Sequence, residues 1–352
     1  MTLSEAPSET PQSAVRIVFQ PLLLPGHSVI APNYSFFQNS EFKIQSNIEG
    51  VNFSFANLSQ SLMSNLDLRT SRLSGVNFSG ADLEKTNLSK VNFNGVNLED
   101  SRLSEANLYG VDFSESKVNG AVFERANLSY SKFLGKALHN QNFQGANLTF
   151  SDLTNAHVGL ANFDGATLNS ADFRGAYFYL ERILFFQKGG GASFIRARLE
   201  DVRMSEVSLN RNDFSEAVLE RADLRDADIN NVDFTSTNLS YAYLVGANFE
   251  ASRFVEADFY KANLSNSKFR DSNLWNADFS EARNLERSSL DGAIICNTRL
   301  PKHLEINSYR NCVSFFLVSE GRWRITLIAA ATILVKFLRS LPSSKYSRNP
   351  KS

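Results

Sequence analysis

Four histidines, two cysteines and many carboxylates and hydroxyls are the side chains of this 352-residue chain that could do chemistry. A zinc site needs Cys and His clustered at short fixed spacings, and no such cluster occurs. His27 and His303 lie outside the chain's repeats; His139 and His157 lie within them, beside positions that point inward, and are expected to face water. No Ser/His/Asp arrangement can be argued from the order of residues. Gly189-Gly190-Gly191 is a lone glycine run, without the strand before it and helix after it that a phosphate loop requires. The acidic residues recur at polar positions of a short repeat, which builds a solvated face rather than an acid–base pair. No catalytic residue, cofactor or metal site is expected, and the chain reads as a non-enzyme.

The elements that position these side chains follow from a period of five. Every fifth residue from Phe53 to Phe178 is apolar, and the rule resumes from Phe194 to Phe279. Two residues before each of these centres stands Ala, Val, Ser or Thr, with exceptions at Leu66, Lys136, Gln141 and Asn212. Asn or Asp often stands just before the centre, as in Ala106-Asn107-Leu108. A helix repeats at 3.6 and a simple strand at 2, so neither accommodates this pattern. A coil with a corner in every unit does. The centre and the residue two before it point inward, as alternate residues of an extended segment do. The polar residues between and after them face water and help to turn the chain. Lys136 and Gln141, in consecutive units around Leu138, predict a local distortion of that corner.

This unit is similar to that of the pentapeptide-repeat family, over about 46–285. The resemblance implies an all-β solenoid, a right-handed quadrilateral β-helix with four units per coil. Sampling the centres every twenty residues supports the number four: Leu68, Leu88, Leu108, Leu128, Leu148 and Leu168 form one unbroken leucine series. Between Phe178 and Phe194 the phase slips by one residue, which places Phe194 on the wall of Phe173 and predicts a continuous solenoid with an irregular bulge at 179–193. About eleven or twelve coils at ~4.8 Å each make a body on the order of 50–55 Å long.

The expected order is a loose arm at 1–35, the β-helix at 36–300 with a C-terminal cap from about 281, a cap extension at 301–321, and a basic tail at 322–352 carrying a short apolar helix. Cys296-Asn297-Thr298 with Pro301, followed by Cys312, resembles a terminal element of cyanobacterial and thylakoid-lumen pentapeptide proteins. That resemblance implies that Cys296 and Cys312 lie close together, bonded or reduced. The N-terminus lacks the basic start and apolar run of a signal peptide, which points to the cytoplasm and favours the reduced pair.

Formal net charge is −1, but the seven basic and no acidic residues from Arg322 onward leave 29 basic against 37 acidic, or −8, for the rest. The apolar run Ile325–Val335 is flanked by Arg322, Trp323, Arg324, Lys336 and Arg339. Its eleven residues are short of the ~17–25 that span a bilayer. A helix packed on the solenoid end, a membrane contact and a partner-binding or disordered tail remain open there. In the bulge, Arg182, Phe185, Phe186 and Lys188 form either a tucked-in loop or an aromatic–basic knob for a partner. The leading functional expectation is a rigid scaffold or binding protein with a protein partner. The alternatives are a DNA-mimic regulator of a topoisomerase such as gyrase, and membrane attachment through 322–352. Nucleic acid is not an expected partner, and oligomeric state is left open.

Overall fold

The computed structural model describes residues 50–178, 191–307 and Cys312. The chain divides into two units, Met1–Arg310 and Asn311–Ser352. All the described residues except Cys312 belong to the first, and they form a right-handed β-helix. The expected loose arm, the loop residues Arg182, Phe185, Phe186 and Lys188, and the tail residues Arg322, Trp323, Arg324, Lys336 and Arg339 lie outside the described residues. So does the expected C-terminal helix. Among the described residues no helix is long and apolar enough to cross a membrane.

One unit shows why five residues suffice. In Val76–Gly80, the Val76 N–H donates to the Leu73 carbonyl at 3.1 Å and closes the corner. Asn77 N–H donates back to Ala56 in the previous coil; Phe78 and Gly80 donate forward to Asn97 and Glu99 in the next. The remaining donor, Ser79 N–H, bonds the side-chain oxygen of Asn77 at 3.1 Å. Every backbone N–H of the unit is satisfied, which is what lets so irregular a chain be buried on one side. It also explains the Asn or Asp before the centre: its carbonyl oxygen accepts the N–H two residues on, an Asx turn. Asp67, Asn127, Asp213 and Asn273 do the same. The second residue after the centre usually sits at positive φ, near +58° at Gln60, Lys90 and Glu105.

Parallel bridges link each coil to the one twenty residues on, Asn87 to Asn107 to Asn127 for example. The centres therefore stack in four walls. Face 1 carries Phe53, Leu73, Phe93, Phe113, Phe133, Leu153 and Phe173; face 2 begins at Leu58, face 3 at Met63 and face 4 at Leu68. These centres are buried. Phe113 lies 4.6 Å from Phe133, ring on ring, and edge-on to Phe93 at 5.6 Å.

The irregular stretch corrects the register. Ser193 pairs with Asn162, and Phe194 stacks on Phe163 at 4.9 Å with 5° between the rings. Phe194 thus continues the wall of Phe163 on face 3, not that of Phe173 on face 1; Phe173 is followed by Met204, through the pairing of Asp172 with Arg203. Phe163 to Phe194 spans 31 residues, so 11 are inserted into one twenty-residue coil at the corner after Phe178. The leucine series carried this signal: with 11 residues removed, Leu168 is followed by Leu199, Leu219 and Leu239.

A single extra residue enters later. Leu264 N–H donates to Arg283, and the next centres are Leu285, Leu290 and Ile295, all buried. Here the 3₁₀ turns Arg287–Leu290 and Lys302–Leu304 replace plain corners. Neither cysteine is free: Cys296, buried, and Cys312 are both disulfide-bonded. The structure holds bonded cysteines, not the reduced pair expected above: redox compartment and geometry together govern a disulfide, and the sequence reading weighed only the first.

Candidate interaction face

The potentially chemical residues do not converge. His139 and His157 stand on neighbouring coils with rings 5.7 Å apart, and Tyr177 stacks on His157 at 4.4 Å. His139 is half-buried rather than fully solvated. Burial, with the neighbouring His157, lowers its pKa against the opposing pull of the Gly159 carbonyl. Among the described residues no group of three or more His, Cys, Asp or Glu could hold a metal ion.

At the Lys136 corner the ladder breaks between Lys117 and Ala137. Lys136 Nζ donates to the Ser116 carbonyl at 2.7 Å, and burial lowers its pKa. Gln141, buried, donates its amide to the Val118 carbonyl at 2.8 Å, as the hydroxyls of Thr86 and Ser252 do to Met63 and Ile229. These side chains serve the wall.

What converges is apolar. Nine large apolar side chains are exposed among the described residues. Seven of them, Phe55, Tyr130, Leu134, Phe150, Tyr241, Tyr243 and Tyr260, lie on face 1 or its two edges. Along the edge between faces 4 and 1, Tyr109 meets Tyr130 at 5.4 Å and Tyr130 stacks on Phe150 at 4.9 Å. Lys90 Nζ lies 5.5 Å from the Tyr109 ring. Farther along the same edge Tyr241 meets Tyr260 at 5.6 Å, with Lys261 5.0 Å from the Tyr260 ring.

Tyr130, Phe150 and Tyr241 occupy the left-handed corner position, at φ 59°, 58° and 59°. A non-glycine residue there costs roughly 1–2 kcal/mol, and an exposed ring recovers little of it by burial. Many non-aromatic residues occupy the same corner position elsewhere, so the corner itself does not call for a ring. Sequence reasoning missed them because the period assigns their positions to solvent; the available signal was aromatic residues recurring at about twenty-residue intervals outside the centres, at 109, 130 and 150.

Between the two aromatic sets, face 1 is charged and internally paired. Arg174 and Arg203 both reach Asp172, at 2.6 and 3.3 Å, Arg225 reaches Asp223 at 2.7 Å, and Arg221 reaches Asp201 at 2.8 Å. The Arg225 guanidinium bonded to Asp223 holds that carboxyl below its usual range. Followed from coil to coil, no outward column of described residues on any face has more than two acidic side chains in succession.

The family profile described as Pentapeptide repeats matches the chain in eight copies, over ranges that run from 52 to 178 and from 192 to 300. No curated protein matches. Among solved structures, HetL, a pentapeptide repeat protein involved in heterocyst differentiation regulation from Nostoc sp. strain PCC 7120, is 24% identical, with 74% of this chain and 93% of that one covered and a TM-score of 0.21. Full-length QnrB1, a plasmid-mediated fluoroquinolone resistance protein, is 16% identical over 69% of this chain and 92% of that one, with a TM-score of 0.24. A pentapeptide repeat protein of the Arabidopsis thaliana thylakoid lumen is 25% identical over 40% of this chain and 72% of that one, with a TM-score of 0.18. With its profile covering most of the chain and each unit closed by the same corner, this protein belongs to the pentapeptide repeat family.

Proposed function

We propose that the protein is a non-enzymatic scaffold that engages a macromolecular partner through face 1. What supports the reading is the placement of seven of the nine exposed large apolar side chains among the described residues on one of four faces or its edges, four of them at left-handed corners. Exposed apolar residues gathered in sets on one face mark interaction sites, and loops or corners held on a rigid frame are where such residues gather. The frame holds the rings without first having to order them, so binding costs little conformational entropy.

The test compares cross-linked complexes, by mass spectrometry, from cells carrying the wild type, a Tyr130→Ser/Leu134→Ser/Phe150→Ser variant and a Leu62→Ser control. Leu62 is exposed and lies on face 3, beside the centre Met63. Partners lost in the triple variant and kept in the control support the reading; the same partners with all three proteins refute it. The alternating ion pairs supply no acidic row to imitate a duplex, so the DNA-mimic alternative draws no support from this surface.

A further inference from the structure

We infer that Asn119 is a site of spontaneous deamidation, selected by the Lys136 corner. In this reaction the main-chain nitrogen of the next residue bonds to the asparagine side-chain carbonyl carbon. The bond from that carbon to the side-chain nitrogen breaks, and the nitrogen leaves as ammonia with the proton given up by the main-chain N–H. Water then opens the five-membered imide at either carbonyl, giving aspartate or isoaspartate. Glycine in the next position favours ring closure, because it has no Cβ to obstruct the approach. The chain has two such pairs, Asn94-Gly95 and Asn119-Gly120. Both lie at exposed corners, with their glycines at φ 70° and 72°. Residue type and exposure leave them equal.

The attacking nitrogens differ. Gly95 N–H donates to the Glu115 carbonyl of the next coil at 3.2 Å. On the wall of Gly120, Asp100 N–H donates to the Asn119 carbonyl and Asn140 N–H to the Gly159 carbonyl. By the same pattern Gly120 N–H would donate to His139. It does not, and among the described residues it meets no other carbonyl. A nitrogen free of the ladder can swing onto the side chain before it. One that must first break a hydrogen bond is available less often. The Asn119 carbonyl keeps its bond from Asp100 N–H, at 2.9 Å, and that carbonyl survives ring closure.

Lys136 is the cause. On this wall the Val96 carbonyl accepts Lys117 N–H, and the Lys136 carbonyl accepts His157 N–H. The Ser116 carbonyl between them would accept Ala137 N–H, but Lys136 Nζ occupies it at 2.7 Å. The bonds from Val118 to Ala137 and from Gly120 to His139 are absent with it. Ala156 and Ala176, which follow Lys136 in its inward column, have no side chain that could compete in this way. The product carries a carboxylate in place of a neutral amide on face 2, in the outward series Glu99, Asn119 and His139. The aromatic sets of face 1 are untouched.

The test is peptide mapping of the full chain by mass spectrometry after incubation in mildly alkaline buffer, which separates the asparagine, aspartate and isoaspartate forms. In the folded protein Asn119 is expected to convert at least about 5-fold faster than Asn94, the weight of one net hydrogen bond. In the chain unfolded by denaturant the two should convert at similar rates. Lys136→Ala returns the corner to the residue of the following coils. It is expected to bring the Asn119 rate down to that of Asn94 and to leave Asn94 unchanged. Hydrogen exchange of the wild type gives a readout that does not depend on the variant folding: the Gly120 amide should exchange faster than that of Gly95. Equal rates at the two asparagines in the folded protein overturn the inference. So does a preference for Asn119 that persists in the unfolded chain or in folded Lys136→Ala, and so does equal protection of the two glycine amides.

Discussion

At the residue scale, an inward centre and an outward ring of the same type have opposite roles. Phe113 is fully buried between Phe93 and Phe133 and meets Phe123 edge-on at 5.8 Å. Its neighbours are fixed by ladder bonds and cannot collapse far, so Phe113→Ala is expected to cost roughly 3–5 kcal/mol. An unchanged midpoint in a denaturant titration would contradict the inward stacking. His139 makes a separate prediction. Its pKa is lowered in the folded state by burial and by His157. The unfolded chain then binds the proton more readily, so this site's contribution to stability is intact above about pH 6.5 and declines as pH falls through the folded value. Thermal unfolding from pH 7.5 to 5 should show a drop that His139→Gln reduces; identical slopes for both proteins would remove His139 from the account.

At the scale of the element, the corner after Phe178 is where the chain departs from the repeat. Deleting residues 179–189 would join Phe178 to Gly190-Gly191-Ala192-Ser193-Phe194, a unit with two glycines at the corner and a small residue two before the centre. Because Phe194 already stacks on Phe163, this deletion restores five-residue spacing without moving any wall. It is expected to fold with an unfolding midpoint equal to or above that of the full chain, since closing a shorter loop costs less entropy. Loss of the cooperative transition would argue for the other register, in which Phe194 follows Phe173. That register is a natural reading of the chain, because a slip of one residue and an insertion of 11 leave the same remainder on division by five. Only pairing across the coil separates them.

At the scale of the whole molecule, each coil contacts its neighbours alone, so the fold builds long faces from repeated units. The charge on those faces decides between partner classes. With acidic columns interrupted by Arg72, Arg102, Arg198, Arg203 and Arg221, duplex mimicry is not expected, and a gyrase supercoiling assay should show neither inhibition nor protection at micromolar protein. Either effect would show that the mixed faces suffice for that partner after all. The rigid coil also explains why the aromatic edge can be specific without a loop: the coil spacing of ~4.8 Å fixes the separation of successive rings.

By itself, the order of residues determined the period, the inward positions, the corners and the number of sides, since these depend on contacts within five residues or between units twenty apart. It did not determine where 11 inserted residues leave the coil, that both cysteines are bonded, or that Tyr130, Phe150, Tyr241 and Tyr243 share a face. Those outcomes depend on which coil lies on which, a relation that local preference leaves degenerate and that hydrogen bonding between coils and ring stacking between Phe163 and Phe194 resolve.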